Sequence, residues 1–385
     1  MHVMPPLLDR RSFLAGSAAA VSALSRPASA AAPARPRRKR RILMLGGTGW
    51  LGPAIVRHGL ERGHTFTLFH RGRTNPDLFP GVEALRGQRR RPRPDSDDPA
   101  QDLAALRDRD WDAVVDTSAY FTGEVEDTCA LLRGHVGQYV FVSSLSVYRS
   151  MEVDATPIDE DSPRATCDDK YAWSLGQNFE RYGALKRYGE DAVTAAFPDG
   201  ATLVRPGYIV GPGDGSDRFS YWPARFLRGG PCLAPGDPDA GLQFVDVRDL
   251  GAWIVQLIET GTTGPFNAVG FDGRISVEEF LHTGKGAVNH RCSFTWVDDA
   301  FLTAEGVTSW GDMPCWTPAD KNAPVANARA QAAGLTFRPI AETIRDTATW
   351  VRDERGDRPW RAGMPAARAA ELLARWHGRP PSAGR

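Results

Sequence analysis

A glycine-rich turn near the start of the chain constrains the fold more than any other feature of the sequence. Residues 42–45 form a short apolar run, and the turn Gly-Gly-Thr-Gly-Trp-Leu-Gly follows at residues 46–52. An amphipathic helical pattern continues as far as Gly63, and residues 65–69 form a second strand pattern. This order of strand, glycine turn, helix and strand predicts a dinucleotide-binding βαβ unit. The alternative is a turn that is rich in glycine only for packing.

The glycines of this turn have separate physical roles. Gly46 permits a tight turn, Gly49 lets the backbone approach a pyrophosphate, and Gly52 allows the helix to pack closely against the strand. Trp50 and Leu51 lie where the helix begins, and its free N–H groups and positive dipole end would hold the phosphates. We therefore predict that Gly46, Gly49, Trp50, Leu51 and Gly52 bind the cofactor.

The end of the second strand indicates which dinucleotide is bound. An acidic residue at this position binds the ribose hydroxyls of NAD, whereas an arginine can receive the 2′-phosphate of NADP. This chain has Arg71 and Arg73 there, and no acid before Asp77. The sequence therefore favours NADP over NAD, with solvated loop arginines as the alternative.

Further strand and helix patterns alternate along the chain. Strands are predicted at residues 111–116 and 138–142, and a helix at residues 100–107. The arginine-rich stretch at residues 86–98 is predicted to be an exposed loop with solvated charges. The alternation predicts an α/β fold, a Rossmann-like doubly wound parallel sheet with a smaller C-terminal α/β substrate lobe.

A tyrosine and a lysine four residues apart form the candidate catalytic pair. Tyr182 and Lys186 lie in a helical pattern, so they share one helix face. A phenol normally loses its proton near pH 10, and a nearby ammonium favours the phenolate. We therefore expect Tyr182 to act as a general acid or base. Ser144, at the end of the preceding strand, is a candidate to hydrogen-bond the substrate oxygen and orient it.

With these motifs in this order, the chain resembles the extended or atypical short-chain dehydrogenases/reductases of the NAD-dependent epimerase/dehydratase group. The resemblance runs from about residue 41 to residue 270 and includes the stretches at residues 205–213 and 244–250. It implies a substrate oxygen aligned by Ser144, proton transfer by Tyr182 and a nicotinamide ribose held by Lys186. A sugar or sugar nucleotide is the substrate that the family implies.

Three departures separate the sequence from the sugar-nucleotide enzymes of that group. The acid at the end of the second strand is missing, and the loop around residues 88–90 is basic. Asp-Thr-Ser-Ala-Tyr at residues 116–120 replaces a small apolar turn. A sugar nucleotide is therefore implied by the resemblance alone and not by these residues.

The sequence becomes rich in proline, glycine and aromatic residues from about residue 211. Arg218, Tyr221 and Trp222 follow a loop that faces the substrate in the family, so they are candidate substrate contacts, with packing as the alternative. This part contains most of the tryptophans, including Trp310, and most of them are expected to be core or packing residues and not ligand platforms. The sequence has no metal-binding motif. Later helices are predicted at residues 247–259, 276–282, 340–355 and 366–376.

The N-terminal residues have the pattern of a twin-arginine signal peptide. Arg10 and Arg11 precede an uncharged run and an Ala-x-Ala stretch that ends near Ala30. We expect the twin-arginine machinery to export the protein to the periplasm or beyond, without a stable membrane anchor. A misassigned start would leave it cytoplasmic.

The formal net charge of zero hides an asymmetry along the chain. Residues 1–41 contain nine of the 47 basic and one of the 47 acidic residues, which leaves 38 basic and 46 acidic residues in the rest. Nucleic-acid binding is not expected for a body with this acidic balance.

These observations predict a domain organisation and a function. Residues 1–30 are the signal peptide, 31–40 a basic linker, 41–210 the NAD(P)-binding domain with later returns to the sheet, and 211–385 mainly the substrate lobe. The predicted function is an NAD(P)-dependent oxidoreductase or epimerase that transfers a hydride at a carbohydrate-like carbinol or carbonyl. Because an exported enzyme has no ready supply of NADP(H), we expect a tightly bound cofactor. The alternative is a non-catalytic, dinucleotide-bound regulatory or RNA-binding module on the same fold.

Overall fold

The secondary structure alternates between strands and helices along the described part of the chain. The structure is a computed structural model that describes residues 38–379, except residues 95, 152–156, 272 and 319–322. The predicted signal peptide and most of the predicted linker lie outside the described residues. The described strands are β1 (Arg41–Leu45), β2 (Thr65–His70), β3 (Glu83–Arg86), β4 (Trp111–Asp116), β5 (Val136–Val142), β6 (Ala201–Pro206), β7 (Tyr208–Val210), β8 (Gly230–Pro235), β9 (Gly241–Leu242), β10 (Phe244–Asp246), β11 (Gly264–Ala268), β12 (Ile275–Ser276) and β13 (Cys292–Val297). The described α-helices are α1 (Leu51–Glu61), α2 (Thr122–Leu132), α3 (Tyr182–Ala196), α4 (Tyr221–Arg228), α5 (Val247–Thr260), α6 (Val277–Val288), α7 (Asp299–Ala304), α8 (Ala328–Ala332), α9 (Ile340–Asp353) and α10 (Ala366–His377).

Seven strands form the central sheet, and all of its neighbouring pairs are parallel. The strand order is β11-β6-β5-β4-β1-β2-β3. The order reverses between β1 and β4, so the carboxyl ends of these two strands flank a switch point. Ligands of open parallel sheets bind in the crevice at such a point.

Helices cover both faces of this sheet because its strands are apolar on both sides. Ile42 and Met44 of β1 pack in one cluster with α1 and α5. Leu43 and Leu45 point to the opposite face and pack in a second cluster with α2 and α3. The predicted doubly wound, Rossmann-like α/β sheet is confirmed.

A smaller α/β lobe has its own hydrophobic core. Trp222 and Phe226 of α4 and Phe280 of α6 are buried there beside the parallel strand pair β8 and β13. The helices predicted in this part of the sequence are present, and α6 is longer than predicted because it continues to Val288.

The prediction of a helix at residues 100–107 is wrong. Only a short 3₁₀ turn is present, at Ala104–Leu106. The backbone of Asp102 exchanges two hydrogen bonds with Gln88, of 2.9 and 2.7 Å, which keeps the chain extended at Asp102. The Asp102 carboxylate then accepts a hydrogen bond of 3.1 Å from the Ala104 N–H, so the local polar contacts favour a turn.

The described residues contain neither a candidate membrane span nor a candidate metal centre. None of their helices is long and apolar enough to cross a bilayer. They contain no group of three or more His, Cys, Asp or Glu side chains arranged to hold a metal ion. The five cysteines have free thiols.

Candidate active site

A cleft of about 1470 Å³ lies at the carboxyl ends of the central strands. Its walls include the glycine turn, the segment after β2, the end of β5 and the first turn of α3. Most of the predicted site residues line it, namely Gly46, Gly49, Trp50, Leu51, Gly52, Arg71, Arg73, Ser144, Tyr182, Lys186 and Arg218.

The glycine turn has the geometry that a dinucleotide needs. Gly46 has a φ of 104°, which favours glycine. A Cβ on Gly52 would lie 2.5 Å from the Cα of Gly47, so α1 packs directly on the turn. A Cβ on Gly49 would meet no atom within 4 Å, and Gly49 faces the cleft. The space above Gly49 is therefore open to a pyrophosphate at the N-terminal end of α1, and the turn fits the group.

Trp50 connects the glycine turn to the substrate side of the cleft. Its indole Nε1 donates a hydrogen bond of 2.8 Å to the carbonyl oxygen of Pro212, in the loop after β7. The start of α1 is therefore fixed relative to the loop that leads to Arg218.

The end of β2 carries positive and neutral groups. Arg71 and Arg73 are exposed and line the cleft. His70 is buried, and its Nδ1 accepts a hydrogen bond of 3.0 Å from the Gly72 N–H. Burial, together with the nearby Arg86 guanidinium, lowers the pKa of His70, so the imidazole is neutral at pH 7. Among the described residues that line the cleft, Glu124 on α2 is the only one with a carboxylate, and the segment after β2 contributes none.

Arg89 is buried beneath the cleft, which contradicts the prediction of a solvated charge run. Its guanidinium donates two hydrogen bonds of 2.7 Å to the carboxylate of Asp116, which is fully buried at the end of β4. It also donates to the hydroxyl oxygens of Ser118 and Thr128, both at 3.1 Å. Burial opposes the charge of Asp116, but the Arg89 guanidinium holds the pKa of this carboxyl below its usual range.

The two following arginines also have specific partners. Arg90 donates to the Trp173 carbonyl oxygen at 2.8 Å, and its guanidinium lies 4.3 Å from the centre of the Phe121 ring. Arg91 forms two hydrogen bonds of 2.6 Å with Asp127. The arginine run therefore attaches its loop to the body of the protein.

Tyr182 and Lys186 lie on α3, whose first turn packs against the segment that carries Ser144. A Cβ on Gly183 would collide with the carbonyl oxygen of Ser146, so only glycine permits this approach. Ser144 lies two residues after the end of β5, and its hydroxyl accepts a hydrogen bond of 3.1 Å from the Ser146 N–H. The three predicted catalytic side chains therefore come together at one end of the cleft.

The Lys186 side chain is buried, and its ammonium is hydrogen-bonded to backbone carbonyl oxygens. Its ammonium donates to the carbonyl oxygens of Ala119 and Val142, at 2.8 and 2.9 Å. Burial lowers its pKa to about 8, although the charge of Asp116 opposes this shift. The ammonium also lies 5.1 Å from the centre of the Tyr120 ring, which stabilises a cation.

The expected lowering of the Tyr182 pKa is wrong. Burial raises the pKa of this phenol, and a hydrogen bond with Ser144 opposes the shift only in part. The ammonium of Lys186 is directed to Ala119 and Val142 instead. Tyr182 is therefore protonated at neutral pH and is suited to donate a proton.

Arg218, Tyr221 and Trp222 have different positions. Arg218 is exposed and lines the cleft, with its guanidinium 5.2 Å from the centre of the Tyr208 ring. Tyr221 and Trp222 are buried in the core of the smaller lobe, and the Trp222 indole donates to the Pro314 carbonyl oxygen at 2.7 Å. Neither lines the cleft, so packing, the alternative for this pair, fits their placement.

Tyr208, Trp310 and Glu124 are among the cleft-wall residues that were not predicted as site residues from the sequence. Tyr208 and Trp310 line the cleft as a stacked pair, with ring centres 3.3 Å apart and an interplanar angle of 11°. Trp310 is half-buried and also packs against the core of the smaller lobe, so the expectation of packing applies to it as well. Glu124, on α2, also lines the cleft, and burial raises its pKa. Only Tyr208 lies in a stretch that the resemblance marked. Trp310 reaches the cleft through its stack on Tyr208, and the Glu124 carboxylate accepts a hydrogen bond from the nearby Tyr120 N–H.

Comparison with protein families identifies the chain. The model described as the NAD dependent epimerase/dehydratase family matches residues 42–269, more than half of the chain. The chain belongs to this family. The match extends from β1 through β11, so it includes the glycine turn and the segment with Ser144, Tyr182 and Lys186.

The sequence identity between this chain and a curated relative is low. A 2′-dehydrokanamycin reductase from Streptomyces kanamyceticus is 29% identical over 226 residues, which cover 57% of this chain and 58% of that protein. The chain thus matches little more than half of the length of this curated relative.

Solved structures of low sequence identity share the fold. The enzyme WbmH of Bordetella bronchiseptica in complex with NAD⁺ has a TM-score of 0.57 and 17% identity, over 82% of this chain and 99% of that chain. A UDP-N-acetylglucosamine 4-epimerase from Bacillus cereus has a TM-score of 0.58 and 14% identity, over 83% and 99%. The family description and the WbmH complex name NAD, so they give no support to the predicted preference for NADP.

Proposed function

We propose that the protein is an NAD(P)-dependent oxidoreductase or epimerase that acts at a carbinol or carbonyl of a carbohydrate-like substrate. The observation that carries this proposal is the meeting of Ser144, Tyr182 and Lys186 in the cleft that also contains the glycine turn. The reductase and epimerase relatives support this reaction class. Residues 41–210 as the dinucleotide-binding domain and 211–385 as mainly the substrate lobe belong to the same proposal.

Each catalytic side chain has a role that follows from its surroundings. Tyr182 is protonated, so it donates its proton to a carbonyl oxygen during reduction and becomes a phenolate. In the reverse direction this phenolate accepts the proton of the carbinol and becomes the phenol again. Ser144 donates a hydrogen bond to the same oxygen. Two donors of the Lys186 ammonium are used by Ala119 and Val142, and we assign the third to the nicotinamide ribose. A bound nicotinamide supplies or accepts the hydride.

A Tyr182→Phe variant tests the catalytic role. General acid catalysis contributes about 10²–10⁴-fold, so we expect kcat to fall by that factor while cofactor binding persists. Tyr188→Phe is the matched control, because Tyr188 is on the same helix and is not among the cleft-lining residues. The measurement is nicotinamide absorbance at 340 nm with a panel of carbohydrates. Full activity in Tyr182→Phe would exclude the proposed proton transfer.

The finer choice of cofactor rests on Arg71 and Arg73. Both are exposed beside the cleft, and we propose that they bind the 2′-phosphate of a tightly held NADP. Mass spectrometry of the nucleotide released from the purified, denatured protein tests this. A double Arg71→Ala/Arg73→Ala variant should bind NADP⁺ at least about tenfold more weakly and NAD⁺ as before. Release of NAD alone from the parent would contradict the preference.

Export is a separate part of the proposal. Arg10 and Arg11, followed by the uncharged run, support a twin-arginine signal and a periplasmic or extracellular location. An Arg10→Lys/Arg11→Lys variant should remain in the cytoplasm of a bacterial host while the parent is exported, as measured by cell fractionation. Equal distribution of the two proteins would contradict this route.

A further inference from the structure

Four exposed aromatic side chains gather beside the cleft. In the described part of the chain, six large apolar side chains are strongly exposed, and four of these are Tyr120, Tyr171, Trp173 and Phe179. Tyr120 and Phe179 line the cleft, while Tyr171 and Trp173 line a small adjoining cavity that shares Phe121 with it. We call these four side chains the aromatic rim. Exposed apolar surface concentrated in this way marks an interaction site.

Phe179 is the most exposed member of the rim, at 69%, and its backbone holds it outward. Its φ is 61°, and that of Asn178 is 53°. A bulky residue in the left-handed region is strained, and such strain persists where the surrounding structure imposes it, often at functional sites. A hydrogen bond of 2.9 Å from the Arg181 N–H to the Leu175 carbonyl oxygen closes this loop.

Two other members of the rim, Trp173 and Tyr171, have polar contacts that leave their rings exposed. The Trp173 carbonyl oxygen accepts the hydrogen bond from Arg90. The Tyr171 hydroxyl donates to the carboxylate of Glu126 at 3.1 Å. The rim is therefore a preformed surface, and a ligand that covers it does not have to order it first.

The rim is continuous with the proposed catalytic tyrosine. The ring centres of Tyr120 and Tyr182 are 6.2 Å apart, and Phe179 precedes Tyr182 by three residues. A substrate whose oxygen reaches Tyr182 therefore places its neighbouring substituent against Tyr120 and Phe179.

We propose that the aromatic rim binds an apolar aryl or alkyl substituent attached to the reacting carbinol or carbonyl compound. The identity of the reacting group rests on the proposed function, whereas binding of the substituent needs no hydride transfer. The substrate is then an amphipathic compound, with a polar part at Tyr182 and an apolar part on the rim.

Equilibrium binding of two matched glycosides tests the proposal. The probes are 4-nitrophenyl β-D-glucopyranoside and methyl β-D-glucopyranoside, titrated calorimetrically into the protein with NADP⁺ and, separately, NAD⁺. We expect the aryl glycoside to bind more tightly, and Phe179→Ser to weaken it by about tenfold, as expected for the loss of roughly 60 Å² of apolar contact. Trp173→Ser is a second rim variant. Leu60→Ser is the control, because Leu60 is exposed on α1 and is not among the cleft-lining residues.

The outcomes are distinct. Loss of aryl binding in Phe179→Ser and Trp173→Ser, with Leu60→Ser unchanged, supports the proposal. Equal affinity of the parent for both glycosides, or saturable binding of neither, overturns it. Self-association of the parent in sedimentation experiments that Phe179→Ser abolishes would assign the rim to a second copy of the chain and would also overturn it. Aryl binding without turnover of any substrate would refute the proposed function but leave this inference standing.

Discussion

The buried pair of Arg89 and Asp116 offers a direct test of how the loop after β3 is held on the sheet. In an Asp116→Asn variant the shape is retained, but the Arg89 guanidinium loses the charge that receives its two hydrogen bonds of 2.7 Å. Removal of one partner of a buried ion pair costs about 3–5 kcal/mol, because the other charge stays buried without compensation. For a body of this size about 2 °C is lost per kcal/mol, so the melting temperature should fall by roughly 6–10 °C.

Circular dichroism during thermal unfolding measures this change. Asp98→Asn is the matched control, because Asp98 pairs with Arg93 on the surface of the same loop and is expected to give no measurable change. The pH dependence gives a second readout. The pKa of Asp116 is lowered in the folded protein, so its contribution to stability is present above the unfolded pKa near 4 and is lost as the pH falls through the lower folded value. Equal melting temperatures for parent and Asp116→Asn would refute the reasoning.

Three other predictions concern the cleft. In the direction of carbonyl reduction, kcat/KM should fall as the pH rises through about 8, because Lys186 loses its proton there; a flat profile from about pH 7 to 9 would argue against its role. In Gly183→Ala the new methyl group would collide with the Ser146 carbonyl oxygen, so the start of α3 should move and kcat should fall at least about tenfold. Gly286→Ala should leave kcat unchanged, because a Cβ at that position meets no atom within 4 Å. Gly49→Ala should weaken dinucleotide binding in a fluorescence titration without a change in melting temperature, whereas Gly52→Ala should also unfold at a lower temperature. Normal dinucleotide affinity in Gly49→Ala would contradict the placement of the phosphates.

The fold could be predicted because its signals are local in sequence. Residues 42–45 of β1 are a continuous apolar run, and α1 has apolar residues at helical spacing, so each element could be recognised from a few neighbouring residues. The glycine turn adds an order of elements that few other folds share. Residues 100–107 have the composition of a helix, and the helix predicted there is absent. The conformation of this segment depends on backbone pairing between Asp102 and Gln88, which a local window of sequence does not show.

The catalytic side chains could be predicted by type and place, but their electrostatics could not. The spacing of Tyr182 and Lys186 indicates a shared helix face, and the structure places both at the cleft. The pKa values of Tyr182 and Lys186 depend on burial, and the Lys186 ammonium is directed by the carbonyl oxygens of Ala119 and Val142. The spacing of the two residues does not encode either effect. Trp310 reaches the cleft through a stack on Tyr208, a contact between residues about a hundred positions apart in the chain.

The arginine run after β3 explains why charge patterns are weaker predictors than apolar periodicity. A surface arginine and a buried one have the same local sequence signal, because both are long, polar and favourable in loops. They differ only in whether the folded protein places a carboxylate beside the guanidinium. For Arg89 this carboxylate belongs to Asp116, which lies 27 positions further along the chain. Burial of an unpaired guanidinium would be prohibitive, so Arg89 can be buried only where the carboxyl end of β4 provides the Asp116 carboxylate. The loop that carries Arg89 and Arg90 therefore depends on the assembled sheet, and the cleft wall that it forms reaches its final geometry only with the fold.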